Sequence, residues 1–129
     1  MSFALEDKCM ATQLLGLRTV IYPAPNLSDS KAYWTKLLGI EPYFDEPFYV
    51  GFEVGGYELG LLPDADPADG STTYWGVENV NNAMSEAIAL GAVEYTPASD
   101  VGDGITTGVV KLPDGSLVGF ITNPHFMVK

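Results

Sequence analysis

The sequence predicts an α+β domain made of two tandem βαβββ modules, their strands forming one curved mixed sheet, a cup, with the helices on its outer face. Three observations carry this. The stretch Gly56-Tyr57-Glu58-Leu59-Gly60-Leu61-Leu62 near the middle is echoed by Gly115-Ser116-Leu117-Val118-Gly119-Phe120-Ile121 near the end. Thr19-Val20-Ile21-Tyr22 leads to Asn26 just as Thr72-Thr73-Tyr74-Trp75 leads to Asn79, seven positions from Thr to Asn in both. A helical pattern follows each Asn. A repeated unit fixes architecture early, because each copy must bury the same faces.

The elements follow in order. Residues 1–16 carry little pattern and read as an N-terminal arm; residues 17–129 form a single domain. Module one covers 17–63, module two 71–123, and a C-terminal tail 124–129. Residues 17–23 are β-branched and aromatic and stop at a proline, as a strand does. Asn26 is a helix N-cap with Asp29 in the first turn. Leu27, Trp34, Leu37 and Leu38 recur at helical spacing, and Gly39 sits where a C′ glycine belongs. Three short strands follow at 43–44, 48–54 and 57–62. Asp45-Glu46-Pro47 and Gly55-Gly56 supply the turns between them. The Asp-, Pro- and Ala-rich stretch 63–70 links the modules.

Module two repeats the order. Residues 72–78 form a strand. Asn79 caps a helix whose apolar face is Val80, Ala83, Met84, Ala87 and Ile88, an i, i+3, i+4, i+7, i+8 series. Gly91 ends it. Strands are expected at 92–96, 105–112 and 117–122, with Pro113-Asp114-Gly115 as a hairpin turn. Asp100-Val101-Gly102-Asp103-Gly104 reads as a mobile turn that could act as a lid. The EF-hand spacing for calcium is absent from it.

Composition narrows the classes of function. At 129 residues and 47% hydrophobic content, the chain suits one globular domain. Its net charge of −11 argues against nucleic acid and against an anionic membrane surface, both of which attract Lys and Arg. Cys9 is the single cysteine, so no intramolecular disulfide forms and a reducing, cytoplasmic setting is expected. No basic-then-apolar leader opens the chain, and no apolar run has the length of a membrane span. Cys9 has no strongly positive neighbourhood to activate it.

Several of these segments also carry a family resemblance. Asn26-Leu27 through Ala32-Tyr33-Trp34 to Leu38-Gly39, then Leu90-Gly91-Ala92, then Leu112-Pro113-Asp114-Gly115, resemble in order the motifs of the vicinal oxygen chelate superfamily. That superfamily includes glyoxalase I, bleomycin-resistance proteins and extradiol dioxygenases. The resemblance spans residues 17–123. It implies a divalent metal held by one residue on each of four strands, His or Gln on the first strand of a module and Glu on the last. Carried onto this chain, the four positions are Thr19, Gly60, Thr72 and Gly119. Glycine offers no side chain, and threonine is a poor ligand beside imidazole or carboxylate. The resemblance therefore comes without its metal set, and neither a metal nor another cofactor is expected.

Strand alternation assigns a lining to the cup. Thr19 and Ile21 should face it, with Val20 and Tyr22 beneath the helix. Thr72, Tyr74 and Gly76 should face it, with Trp75 and Val77 toward the core. Glu58, Gly60 and Leu62 share one face, as do Leu117, Gly119 and Ile121. The expected ligand-binding residues are Thr19, Ile21, Glu58, Gly60, Thr72, Tyr74, Gly119 and Ile121, the glycines leaving room for a ligand. No catalytic residue is assigned.

The first expectation for function is a metal-independent small-molecule-binding protein similar to the bleomycin-resistance type. It would act without chemistry and assemble as a homodimer. One alternative is a glyoxalase- or dioxygenase-like enzyme, a lyase, isomerase or oxygenase acting on a small organic substrate. Its metal-free form would rest on Glu58 and Tyr74. The other is a protein-interaction module using the sheet edge or the C-terminal tail, where His125 stands as a surface or oligomer contact.

Overall fold

A computed structural model describes residues 12–126 of the chain. Cys9 and most of the expected N-terminal arm lie outside the described residues. The elements run β1 (Gly16–Pro23), α1 (Leu27–Leu38), β2 (Phe44–Glu46), β3 (Tyr49–Val54), β4 (Tyr57–Leu62), a 3-10 turn (Pro67–Asp69), β5 (Thr72–Gly76), α2 (Val80–Ala89), β6 (Val93–Gly102), β7 (Ile105–Lys111) and β8 (Leu117–Thr122). This is β-α-β-β-β twice, as the duplication predicts.

All eight strands join one mixed sheet in the order β2-β3-β4-β1-β5-β8-β7-β6. Within each module the first and last strands are parallel: Thr19 lies beside Glu58 on β4, and Tyr74 beside Gly119 on β8. The modules meet within the chain through the antiparallel pair β1 and β5, where Val20 faces Thr73 and Ile21 faces Thr72. The sheet is open, with β2 and β6 as its edges. Phe44 on β2 and Thr107 on β7 nevertheless line the same groove. In a flat sheet those strands would stand about 29 Å apart at the usual spacing, so the sheet curls into a cup.

The convex face carries two cores. In module one, Ala24, Val50, Phe52, Leu59 and Leu61 are buried, with Val20, Tyr22, Leu27, Trp34 and Leu38 packed against them. Trp34 stacks on Tyr22 at 5.5 Å between ring centroids. In module two, Val77, Val80, Ala83, Met84, Ala92, Val110 and Phe120 are buried together. Burying a side chain the size of Phe52 contributes about 2–3 kcal/mol. Both helices are capped as the sequence predicts. The Asn26 side chain accepts from the Asp29 amide, the Asn79 side chain from the Asn82 amide, and Gly39 adopts the left-handed conformation at φ 72°.

Four local expectations are corrected. Strand β2 runs through Glu46, so the turn falls on Pro47-Phe48 and Phe48 stands at a hairpin tip. Ile88 is exposed rather than on the packed face, because α2 meets the sheet through its first two turns, at Val80, Ala83 and Met84. Strand β6 continues through Pro97 to Gly102, past the expected end at Thr96. Its register against β7 shifts three times, and a proline is tolerated on such a bulged edge strand. As a result, the 100–104 segment is the tip of the β6–β7 hairpin rather than a free lid. Its two turn residues, Asp103 and Gly104, both have positive φ, the geometry a two-residue hairpin turn requires.

Candidate functional site

The concave face holds a groove in two adjoining compartments. One, of about 530 Å³, is lined by side chains from both modules, among them Tyr43, Phe44, Phe48, Tyr49, Tyr74 and Ile105. The other, of about 760 Å³, is more polar, with Arg18, Glu41, Glu53 and His125 in its wall. Thr19, Tyr43, Glu58 and Asn123 border both.

Glu58 sits at this junction because alternation along β4 puts Leu59 and Leu61 in the core and Glu58, Gly60 and Leu62 in the cup. Its carboxylate accepts a hydrogen bond from the Tyr43 hydroxyl and a longer one, 3.4 Å, from Thr19 Oγ1. Tyr49 lies near enough for the negative charge of that carboxylate to act on its hydroxyl. Burial, and then the hydrogen bond and negative charge of Glu58, push the Tyr43 hydroxyl above the ordinary phenol pKa of 10.0. Burial followed by the charge of Glu58 does the same to Tyr49. Burial alone raises Tyr74. All three phenols are therefore neutral donors at physiological pH.

Glycines form the floor, and larger side chains lie across them. A β-carbon on Gly60 would come within 2.7 Å of Tyr49 Cζ, and one on Gly119 within 2.6 Å of Tyr74 Cε2. On Gly76 it would meet Arg18 Nε at 2.7 Å, and on Gly51 it would meet Glu58 Oε2 at 2.9 Å. This corrects the expectation that Gly60 and Gly119 leave room for a ligand: Tyr49 and Tyr74 take that space.

Of the eight expected binding residues, Thr19, Ile21, Glu58, Tyr74 and Ile121 line the aromatic compartment together. Gly60 and Gly119 lie beneath the two tyrosine rings. Thr72 is half-buried, paired with Ile21 on β1, and outside the lining of either compartment. The resemblance's four metal positions are thus two threonines and two covered glycines. Such a set does not suit a divalent metal, and no step is derived through one. Among the described residues, no three His, Cys, Asp or Glu side chains converge as a metal site.

Sequence reasoning missed Arg18 and the aromatic wall of β2 and β3. Arg18 reaches the cup through a bulge: Leu17 pairs with Trp75 and Thr19 with Tyr74, so Arg18 is the extra residue and shares the side of Thr19. Its guanidinium lies 3.9 Å from the centre of the Phe126 ring. No local sequence signal marks that bulge. Tyr49 had a signal. Counting outward from the Gly55-Gly56 turn pairs Gly51 with Gly60, and Tyr49 follows two residues on, facing the same way.

The architecture and the cup define the glyoxalase/bleomycin-resistance/dioxygenase, or vicinal oxygen chelate, fold, and this chain has it. Three solved structures are similar over nearly their whole lengths. A Streptomyces coelicolor methylmalonyl-CoA epimerase variant in complex with 2-nitronate-propionyl-CoA has a TM-score of 0.70 at 14% identity, covering 91% of this chain and 100% of its own. A glyoxalase/bleomycin resistance protein/dioxygenase superfamily member from Vibrio splendidus has 0.59 at 19%, covering 82% and 97%. A Legionella pneumophila protein described as an NAD-dependent benzaldehyde dehydrogenase has 0.63 at 20%, covering 81% and 96%. At these identities the likeness is one of fold. No protein-family model matches the chain, and no curated protein matches it.

Proposed function

We propose that this protein binds a small organic molecule in the concave groove without a metal ion, as a carrier or sequestering protein similar to the bleomycin-resistance type. The observation that carries this reading is Glu58, a half-buried carboxylate at the junction of the two compartments, held by Tyr43 and Thr19. A groove of several hundred Å³ with mainly apolar walls and a few fixed polar groups is the usual form of a small-molecule site. The proposed contacts are Thr19, Ile21, Glu58, Tyr74 and Ile121, joined by Tyr43, Phe44, Phe48 and Tyr49.

The test is a thermal-shift screen of a broad metabolite library. A binder raises the melting temperature saturably, and Tyr74→Ala and Glu58→Ala both lose that rise. Undiminished stabilisation in both variants would reject the location. The proposal includes a homodimer, supported by exposed Tyr43, Phe48 and Val101 at the groove's mouth. A monomer across micromolar concentrations in light scattering rejects that part. A cytoplasmic setting is proposed from the lone cysteine, and tagged-protein imaging checks it.

A second reading has one observation in its favour. A carboxylate beside neutral phenols is a base beside hydrogen-bond donors, the parts needed to move a proton next to a carbonyl. Methylmalonyl-CoA epimerase is among the structural neighbours. Solvent deuterium entering a bound ligand, and failing to enter it in Glu58→Gln, would favour this enzyme reading over simple binding.

A further inference from the structure

The aromatic compartment has an uneven distribution of chemistry. Tyr43, Phe44, Phe48, Tyr49 and Tyr74 contribute rings to it, and among the described residues Glu58 is its single charged side chain. No Lys, Arg or His lines it among the described residues. Arg18 and His125 lie in the polar compartment instead, Arg18 against Phe126 and His125 against Asp103 at the β6–β7 turn.

The rings meet at steep angles. Phe44 stands at 72° to Phe48 and at 59° to Tyr49, with 6.0 Å between centroids in both pairs, and at 57° to Tyr43. Rings so tilted cannot bury all their faces against one another, and the faces left to the groove carry the negative end of the aromatic quadrupole. Phe48 and Tyr43 are among the most exposed large apolar side chains of the described residues. The three phenols stay neutral, which leaves Glu58 to set the sign of the compartment. The chain's net charge of −11 adds a field of the same sign.

We propose that this compartment binds an organic ammonium ion with a small apolar body, the cationic nitrogen against the aromatic faces and the Glu58 carboxylate. The inference rests on the groove being a ligand site and names the class of ligand. Aromatic faces attract an ammonium without hydrogen bonds, so a quaternary nitrogen is accepted as well as a protonated amine. The carboxylate supplies the charge that selects against anions. A neutral ligand of the same shape gains only the apolar contact.

Four probes separate these possibilities by thermal shift and calorimetry at fixed ionic strength: benzyltrimethylammonium, benzylamine, benzyl alcohol and benzoate. Both cations should bind about tenfold or more tightly than benzyl alcohol, the ratio expected when ring faces and a carboxylate act together. Benzoate should bind most weakly. Glu58→Gln, which keeps the side chain's shape, should reduce cation affinity about tenfold and lower benzyl alcohol affinity much less. Phe48→Ala, at an exposed hairpin tip, should weaken both cations. Equal or tighter binding of benzyl alcohol or benzoate overturns the proposal, as does cation binding indifferent to both variants. Failure of all four probes also overturns it. In that case the parent reading fails only if no neutral or anionic member of the wider library shifts the melting temperature either.

Discussion

Tyr74 lies across Gly119, its ring covering the spot where a β-carbon would stand. Tyr74 and Gly119 are direct neighbours on the parallel strands β5 and β8. Tyr49 and Gly60 form a similar couple in module one, though their strands pair differently. In both, a large ring rests on a residue that has no side chain to obstruct it.

Gly119→Ala should therefore destabilise the protein by about 1–3 kcal/mol, the cost of overpacking. The added methyl meets Tyr74 near its root, at Cγ 2.8 Å, where the ring cannot swing aside. Gly60→Ala should cost less, because the obstructing atoms are at the far end of Tyr49. Urea denaturation measures both. In a double-mutant cycle, Tyr74→Ala should relieve the Gly119→Ala penalty by more than about 0.5 kcal/mol. Additive effects would reject the contact.

The tyrosines make stability depend on alkaline pH. A phenol whose folded pKa is raised is protonated in the native state when the unfolded chain has begun to ionise. Its contribution is complete below the unfolded value of about 10 and is lost as pH rises beyond it. Stability should fall progressively above pH 10. Ultraviolet titration should show Tyr43, Tyr49 and Tyr74 ionising above the ordinary phenol value of 10.0. Glu58→Gln should bring Tyr43 and Tyr49 partway back toward 10 and leave Tyr74 where it is, since burial alone shifts that group.

Two phenylalanines on one hairpin should respond in opposite ways. Phe52 is fully buried in the first core, and Phe52→Ala should cost about 3–5 kcal/mol. Phe48 is exposed at the groove's mouth, and Phe48→Ala should stay within about 0.5 kcal/mol. Chemical denaturation compares them directly. A large loss at Phe48 would mean that it supports the fold rather than the site.

At the end of α1, Gly39 holds φ 72°, a conformation that strains residues with a β-carbon. Gly39→Ala should cost about 1 kcal/mol, or about 4 °C in melting temperature for a chain of this size. Nothing lies within 4 Å of the added carbon, so the whole effect is backbone strain.

The repeat, the helix caps and the strand parities were legible because each depends on residues near in sequence. Val20 and Tyr22 pack under α1, and Thr19 and Ile21 face the cup, as alternation requires. Parity alone did not find Arg18, because one bulged residue inverts the alternation before it. Nor did it find Phe44 and Phe48, whose turn falls a residue or two later than the Asp45-Glu46-Pro47 signal suggested. On β6, the pairing with β7 carried the strand through Pro97, against its local breaker signal.

By itself, the sequence determined the two-module architecture, the faces of most strands, and a metal-ligand address filled with threonine and glycine. The architecture and the faces follow from short-range periodicity and from counting between repeated landmarks; the address at Thr19, Gly60, Thr72 and Gly119 is what the family resemblance implies. Only the tertiary structure decided what occupies the space above those glycines. Tyr49 reaches Gly60 across a hairpin, and Tyr74 reaches Gly119 across a parallel pair, because strand registers bring them there. Sheet curvature then gathers side chains from β2 to β7 around Glu58. A glycine in a sequence is an absence of side chain; whether that absence is a cavity or a seat depends on neighbours that folding supplies.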